Sequence, residues 1–155
     1  MSQGAGEVGI RPAEHSDVPS LVALENASFP TDRLDRRAFR HAVRSPTILA
    51  LVGSSADGEI LGYVLVQIRR GSALGWLTSV AVAPKAHGEG LGRKLVEAAE
   101  AAAQDAGRTR IRLEVREDNV SARKLYERLG YNRTALTPDY YEDGAAAWRY
   151  DKVLA

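Results

Sequence analysis

Apolar residues recur along this chain with two periods, near 3.6 and near 2, and the switches between them mark its elements. Residues 7–11 alternate through Val8 and Ile10, which predicts a short first strand. Asp17 and Pro19 open a helix whose apolar positions are Leu21, Val22, Leu24 and Ala27. The run Phe29-Pro30-Thr31-Asp32 breaks that helix, and a second follows over 35–44. Residues 47–52, 59–69 and 73–83 predict three strands joined by short turns containing glycine, hence antiparallel hairpins. Within the last, 77–83 is apolar on both faces, which predicts a central strand covered on both sides. A helix over 90–106 carries Leu91, Leu95, Val96, Ala99, Ala102, Ala103 and Ala106 along one side and stops at Gly107. Residues 109–115 alternate again, Ile111, Leu113 and Val115 on one face, Arg110, Arg112, Glu114 and Arg116 on the other. Asn119 starts a last helix with a stripe of Ala122, Leu125, Tyr126 and Leu129, closed by Gly130. Residues 131–137 and 145–153 predict two closing strands.

The order is therefore β-α-α-β-β-β-α-β-α-β-β, with hairpins and a strand–helix–strand crossover. That predicts an α+β (mixed α/β) fold around a central mixed, mostly antiparallel sheet. Residues 7–155 are expected to form one domain behind a small, polar, flexible tail over 1–6. The formal net charge of +1 gives no global argument for nucleic acid or a membrane surface as partner. The absence of cysteine excludes disulfides, thiolate ligands and a cysteine nucleophile. His15, His41 and His87 lack metal-ligand spacing, so no metal is expected. No stretch approaches the roughly 20 apolar residues that span a bilayer, and the N-terminus lacks a signal-peptide pattern, so a cytoplasmic protein is expected. The second helix is basic on one side (Arg36, Arg37, Arg40, Arg44), either a solvated face or a partner-facing patch.

The densest chemistry lies where the central strand meets the third helix. Val80-Ala81-Val82-Ala83-Pro84 runs into His87-Gly88-Glu89-Gly90-Leu91-Gly92-Arg93. Glycines let backbone N–H groups approach a ligand closely, and a helix start adds unpaired donors and a positive dipole end, so this turn is a candidate phosphate site. A P-loop is excluded: with Gly92 as its second glycine, His87 stands where the first should be, and no Ser or Thr follows Arg93-Lys94. A dinucleotide fingerprint fits poorly, since the spacing is G-x-G-x-G and hairpins precede it, although Glu114 lies near the acidic position expected downstream.

These residues resemble the signature of the GNAT superfamily of N-acetyltransferases, Gln/Arg-x-x-Gly-x-Gly/Ala after an apolar strand. The resemblance continues through Leu113-Glu114-Val115-Arg116 and Asn119 to Leu125-Tyr126 and Gly130-Tyr131, and so covers nearly the whole chain. Ser28-Phe29-Pro30 and the pair Tyr140-Tyr141 are similar to the RimI-like branch, which acetylates protein N-termini, including that of a ribosomal protein. One departure is His87, which replaces the usual Gln or Arg and is expected to weaken the cofactor grip modestly, with Arg93 and Lys94 compensating.

What the resemblance implies is specific. Acetyl-CoA is the co-substrate, its diphosphate on the backbone of Gly88, Glu89, Gly90, Leu91, Gly92 and Arg93 with His87 beside it, its pantetheine arm along Val80, Ala81 and Val82, with Asn119 as a further contact. Asn119 also reads as a helix N-cap. Glu114 is the candidate general base; the alternative is a carboxylate paired with Arg112 or Arg116. Tyr126 is the candidate general acid for the leaving thiolate; the alternative is a core aromatic. Phe29, Tyr140 and Tyr141 are candidates for the acceptor wall. The expected partner is a protein or peptide amine, a ribosomal protein among the candidates, with the enzyme a monomer or homodimer. Two rival functions stay open. One is an acetyltransferase of a small amine, such as an amino acid, polyamine or aminoglycoside; the acidic residues Asp139, Glu142 and Asp143 would serve a cationic peptide or a polyamine equally well. The other is an idle acyl-CoA-binding module.

Overall fold

The computed structural model describes residues 8–154, and the expected tail over 1–6, with Glu7 behind it, lies outside them. Seven strands and four α-helices follow in the predicted order. They are β1 (Gly9–Pro12), α1 (Val18–Ser28), α2 (Arg36–Arg44), β2 (Ile48–Ser54), β3 (Ile60–Ile68), β4 (Leu74–Val82), α3 (Leu91–Asp105), β5 (Arg110–Arg116), α4 (Val120–Arg128), β6 (Asn132–Thr137) and β7 (Ala147–Val153). The strands form one sheet in the order β1-β2-β3-β4-β5-β7-β6. Every neighbouring pair is antiparallel except β4 and β5, which the α3 crossover makes parallel.

The alternation of β3 shows how the layers form. Tyr63 and Leu65 point into a cluster with Val18, Leu21 and Phe39 of α1 and α2. Val64 and Val66 point the other way, into a cluster with Leu95, Val96 and Ala99 of α3. Helix α2 begins where the Asp35 carboxylate caps the N–H of Ala38 at 2.9 Å. It buries Phe39 and Ala42, while Arg36, Arg37, Arg40 and Arg44 lie on its polar side. Helix α3 lies close on the sheet over glycines. A Cβ on Gly62 would meet the Ala81 carbonyl oxygen and Leu95 Cδ1, both at 2.9 Å.

Three expectations are corrected. Residues 53 and 54 belong to β2 rather than to the following turn, because they pair with β1 on one side and β3 on the other. On α1 the buried position is Glu25, not Ala27, which is exposed. Strand β4 is central, fourth of seven, yet Thr78 is exposed and Ser79, Val80 and Val82 are only half-buried. The cause is a split in the sheet. β4 and β5 pair only at Leu74–Arg110, Gly75–Ile111 and Trp76–Arg112. Beyond that point a bulge at Thr78 shifts the β3–β4 register, and bulges bend the strand that carries them.

Gly62→Ala overpacks the contact between α3 and the sheet. It is expected to cost about 1–3 kcal/mol in urea denaturation, whereas Gly9→Ala, with nothing within 4 Å of its added Cβ, is expected to be near neutral.

Candidate active site

After Val82 a 3-10 turn over Pro84–Ala86 leads into the glycine segment. Gly88 and Gly90 have φ of 82° and 81°, the left-handed region that favours glycine. Gly90 is the N-cap of α3. From 88 to 93 no backbone N–H is donated to any described residue, while the next, Lys94, bonds back to Gly90 at 3.1 Å. Six consecutive donors at the positive end of a 15-residue helix are an arrangement suited to binding an anion. The exposed His87 turns back rather than outward: its Nε2 lies 2.9 Å from the Val82 carbonyl oxygen. A carbonyl only accepts, so Nε2 carries the proton, and the imidazole ties the turn to β4. Arg93 pairs with Glu97 at 3.2 Å, both exposed, and Glu89 and Lys94 are exposed as well.

The split between β4 and β5 opens a cavity of about 600 Å³. Leu77, Thr78, Ser79 and Val80 of β4 line one side and Glu114, Val115 and Arg116 of β5 another. Asn119, Ala122 and Tyr126 around α4, the α1–α2 loop with Phe29 and Pro30, and Tyr141 close the rest. Six residues singled out from the sequence thus meet here: Phe29, Val80, Glu114, Asn119, Tyr126 and Tyr141. Ala81 and Val82 continue β4 toward the glycine turn. Tyr140 does not line the cavity; it is exposed and stacks edge-on against Tyr141 with ring centroids 4.9 Å apart.

The Glu114 side chain is buried, but neither expected arginine holds it. Arg112 goes to Asp151 at 2.9 Å, and Arg116 goes to Asp118 and Asp143 at 3.2 and 2.8 Å. Register decides the partner instead: Glu114 stands opposite Arg149 in the β5–β7 ladder. Its Oε2 accepts from Arg149 Nε and its Oε1 from Trp76 Nε1, both at 2.8 Å. Each oxygen keeps lone-pair capacity for an amine or a water. Arg112 and Arg149 each place a guanidinium carbon 5.6 Å from the Trp76 ring centroid, so the indole is held as well.

Tyr126 packs as a core aromatic and also lines the cavity. Its ring packs with Tyr131 and Tyr150 at 5.6 and 6.5 Å, yet its hydroxyl bonds to no described residue. Burial, with a smaller contribution from Tyr141, pushes its pKa well above the usual phenol value, so it remains a proton donor. Asn119 caps α4 through the Ala122 N–H at 3.2 Å and also lines the cavity. Of the acidic residues considered for a polyamine, Asp143 is paired with Arg116. Glu142 exchanges hydrogen bonds with Asp32, each backbone N–H to the other's carboxylate at 3.2 Å.

Sequence reasoning missed Trp76 and Arg149, the partners of Glu114, and a network on the α1 side of the sheet. There Glu25 accepts from Tyr63 Oη and from the Leu34 N–H, and Tyr63 also bonds Ser79. The available signal was a glutamate four residues after Leu21, on the apolar side of α1.

Residues 18–131 match the acetyltransferase (GNAT) family. The chain belongs to that family. It is an N-acetyltransferase that takes its acetyl group from acetyl-CoA. The acetyltransferase is 32% identical over 151 residues to the catalytic subunit of the N-terminal acetyltransferase A complex of Arabidopsis thaliana, covering 95% of this chain and 78% of the other. It is 29% identical over 146 residues to an N-alpha-acetyltransferase of Schizosaccharomyces pombe, covering 92% and 96%. Among solved structures it shares its fold with the ribosomal-protein-S18-alanine N-acetyltransferase of Escherichia coli, at TM-score 0.85, 24% identity and coverage of 96% and 95%. Among its described residues the acetyltransferase has no group able to hold a metal ion and no helix long and apolar enough to cross a membrane.

Removing the Arg149 guanidinium leaves the buried Glu114 carboxylate with the indole alone. Arg149→Met is expected to cost about 1–2 kcal/mol in urea denaturation, and Arg149→Lys to recover part of it.

Proposed function

We propose that the acetyltransferase acetylates the free α-amine of a protein or peptide N-terminus, with N-termini of ribosomal proteins among its substrates. The observation that carries this reading is the cavity itself. It opens at the split edge of β4, holds one buried carboxylate facing it from β5, and is walled by Phe29 and Tyr141. An apolar wall beside a buried carboxylate suits a chain end with a first side chain. A polyamine would need several available carboxylates; Asp143 and Glu142 are already engaged, which leaves Asp139 of the three. The N-terminal acetyltransferases among its relatives support the same acceptor class.

In this reading the six N–H groups at 88–93 hold the diphosphate of acetyl-CoA. The pantetheine arm lies along the unpaired edge of β4 at Val80, Ala81 and Val82, as an added strand would. Asn119, at the mouth of the same cavity, contacts the cofactor. The acceptor ammonium, with pKa about 8, gives a proton to Glu114 directly or through a water. The freed lone pair attacks the thioester carbonyl carbon, and a β4 N–H stabilises the oxyanion. The C–S bond then breaks, and the thiolate, with pKa about 8.5, takes the proton of Tyr126.

Two outcomes test this reading. A peptide with a free N-terminus is expected to show at least ~10-fold higher kcat/KM than spermidine in a thiol-release assay, and the same peptide with a blocked N-terminus to show none. A preference for spermidine would overturn the acceptor assignment. Tyr126→Phe is expected to lower kcat by ~100-fold with acetyl-CoA affinity unchanged by calorimetry; unchanged turnover would remove the acid role.

A further inference from the structure

Acetylating an amine removes two protons from one nitrogen. The ammonium loses the first before attack, and the nitrogen of the tetrahedral adduct loses the second. The departing thiolate regains one from Tyr126. Glu114 accounts for the first proton in the reaction proposed above, and the second needs its own acceptor unless Glu114 empties in between.

Such an acceptor lies on the α1 side of the sheet, beside the same cavity. Ser79 lines the cavity one residue before Val80, beside the proposed thioester site. Its Oγ lies 2.8 Å from Tyr63 Oη, and Tyr63 bonds Glu25. A carboxylate accepts and a phenol has one proton, so Tyr63 donates to Glu25. Ser79 must then donate to Tyr63. The hydrogen bonds therefore run in one direction, from Ser79 through Tyr63 of β3 to Glu25 of α1, which lines the same cavity, and Ser79 Oγ keeps a lone pair for an incoming proton.

We propose that Ser79, Tyr63 and Glu25 form a proton relay for the second proton, a role that rests on the transfer chemistry above but not on the identity of the acceptor. The adduct N–H bond breaks as a Ser79 O–H bond forms. The original Ser79 proton passes to Tyr63, and that of Tyr63 to Glu25, which becomes a neutral carboxylic acid. Of the two protons captured, one returns to Tyr126 and one leaves to solvent, which balances the release of one proton per turnover. Glu25 has the surroundings of a proton acceptor. It is 2% exposed, and burial raises its pKa against the opposing effects of Tyr63 on β3, the Leu34 N–H and the Arg33 charge. The Leu34 N–H, 2.8 Å from Oε2, keeps the carboxylate in place.

The decisive variant is Tyr63→Phe, which keeps the edge-on ring contact with Phe39 at 5.4 Å and removes one oxygen. It is expected to lower kcat ~10–100-fold, leave both KM values within about twofold, and change the solvent deuterium isotope effect on kcat. Glu25→Gln is expected to match that loss, and the double variant to be no worse than either single one. Ser79→Ala is expected to be impaired and Ser79→Thr to recover. The measurements use whichever of a peptide or spermidine the wild-type enzyme acetylates, with Glu114→Gln alongside. Wild-type kcat and isotope effect in Tyr63→Phe overturn the relay, as does a Glu25→Gln variant that changes only acceptor KM. If Glu114→Gln still loses turnover in that case, the reaction above stands without the relay; if Glu114→Gln is as active as wild type, it is the base assignment that fails.

Discussion

The parallel pairing of β4 with β5 stops after three residues, and the site follows from that stop. β5 stays paired to β7 along its full length, while the bulge at Thr78 bends β4 away. The backbone of β4 beyond Trp76 is left in the middle of a sheet without a partner on one side. Unpaired backbone groups away from water are costly, so the gap must hold solvent or a ligand able to bond like a strand. The same crossover that makes the pair parallel returns the chain through α3. The start of α3 therefore lies at the carboxyl end of β4, where open α/β sheets bind ligands. Open edge, helix N-terminus and cavity share one end of the sheet because a single topological unit makes all three.

Charge at the opening is distributed by pairing rather than by number. The polar face of β5 carries Arg110, Arg112, Glu114 and Arg116 in alternation. Asp151 takes Arg112 at 2.9 Å and Arg110 at 3.7 Å, and Asp118 and Asp143 take Arg116. These pairs leave Glu114 to Arg149 and Trp76, so one buried carboxylate faces the cavity from β5 in a fixed orientation. A buried charge is tolerable only when paired and hydrogen-bonded, and here the neighbouring β7 supplies the pair.

Local patterns made most elements legible, and the glycine segment most clearly, because the period of α3, the strand before it and the left-handed glycines are all properties of adjacent residues. The partners were not legible. Arg149 reaches Glu114 across a ladder set by the register of β5 and β7, and Trp76 reaches it from 38 residues earlier. Nothing in the spacing around Glu114 distinguishes these from Arg112 and Arg116, which lie beside it in sequence but are taken by other acids. The central run 77–83 misled for a related reason: apolar letters report what a strand can bury, not whether its neighbour stays alongside. Glu25 is the instructive case, since a carboxylate on an apolar helix stripe needs a buried partner, and that need was readable while the partner Tyr63 was not.

The acceptor side shows how the fold prepares a surface from remote segments. The α1–α2 loop and the β6–β7 connection are tied by two reciprocal bonds between Asp32 and Glu142. Each connection contains a non-glycine residue in the left-handed region, Asp32 at φ 56° and Asp139 at φ 51°. Such backbone costs of order 1 kcal/mol and persists only where surrounding contacts over-determine it. Inside the loop, Leu34 is held by Glu25 at 2.8 Å and Arg33 by the Phe29 carbonyl at 2.6 Å. Bonds of this kind contribute modestly one by one, but together they fix a short loop whose ends are already set by α1 and α2. Phe29 and Tyr141 are thereby held in place at the cavity, and because Asp32, Glu142 and Asp143 are engaged in holding these connections, discrimination between amines in the reaction proposed above would fall more to the shape of the wall than to its charge.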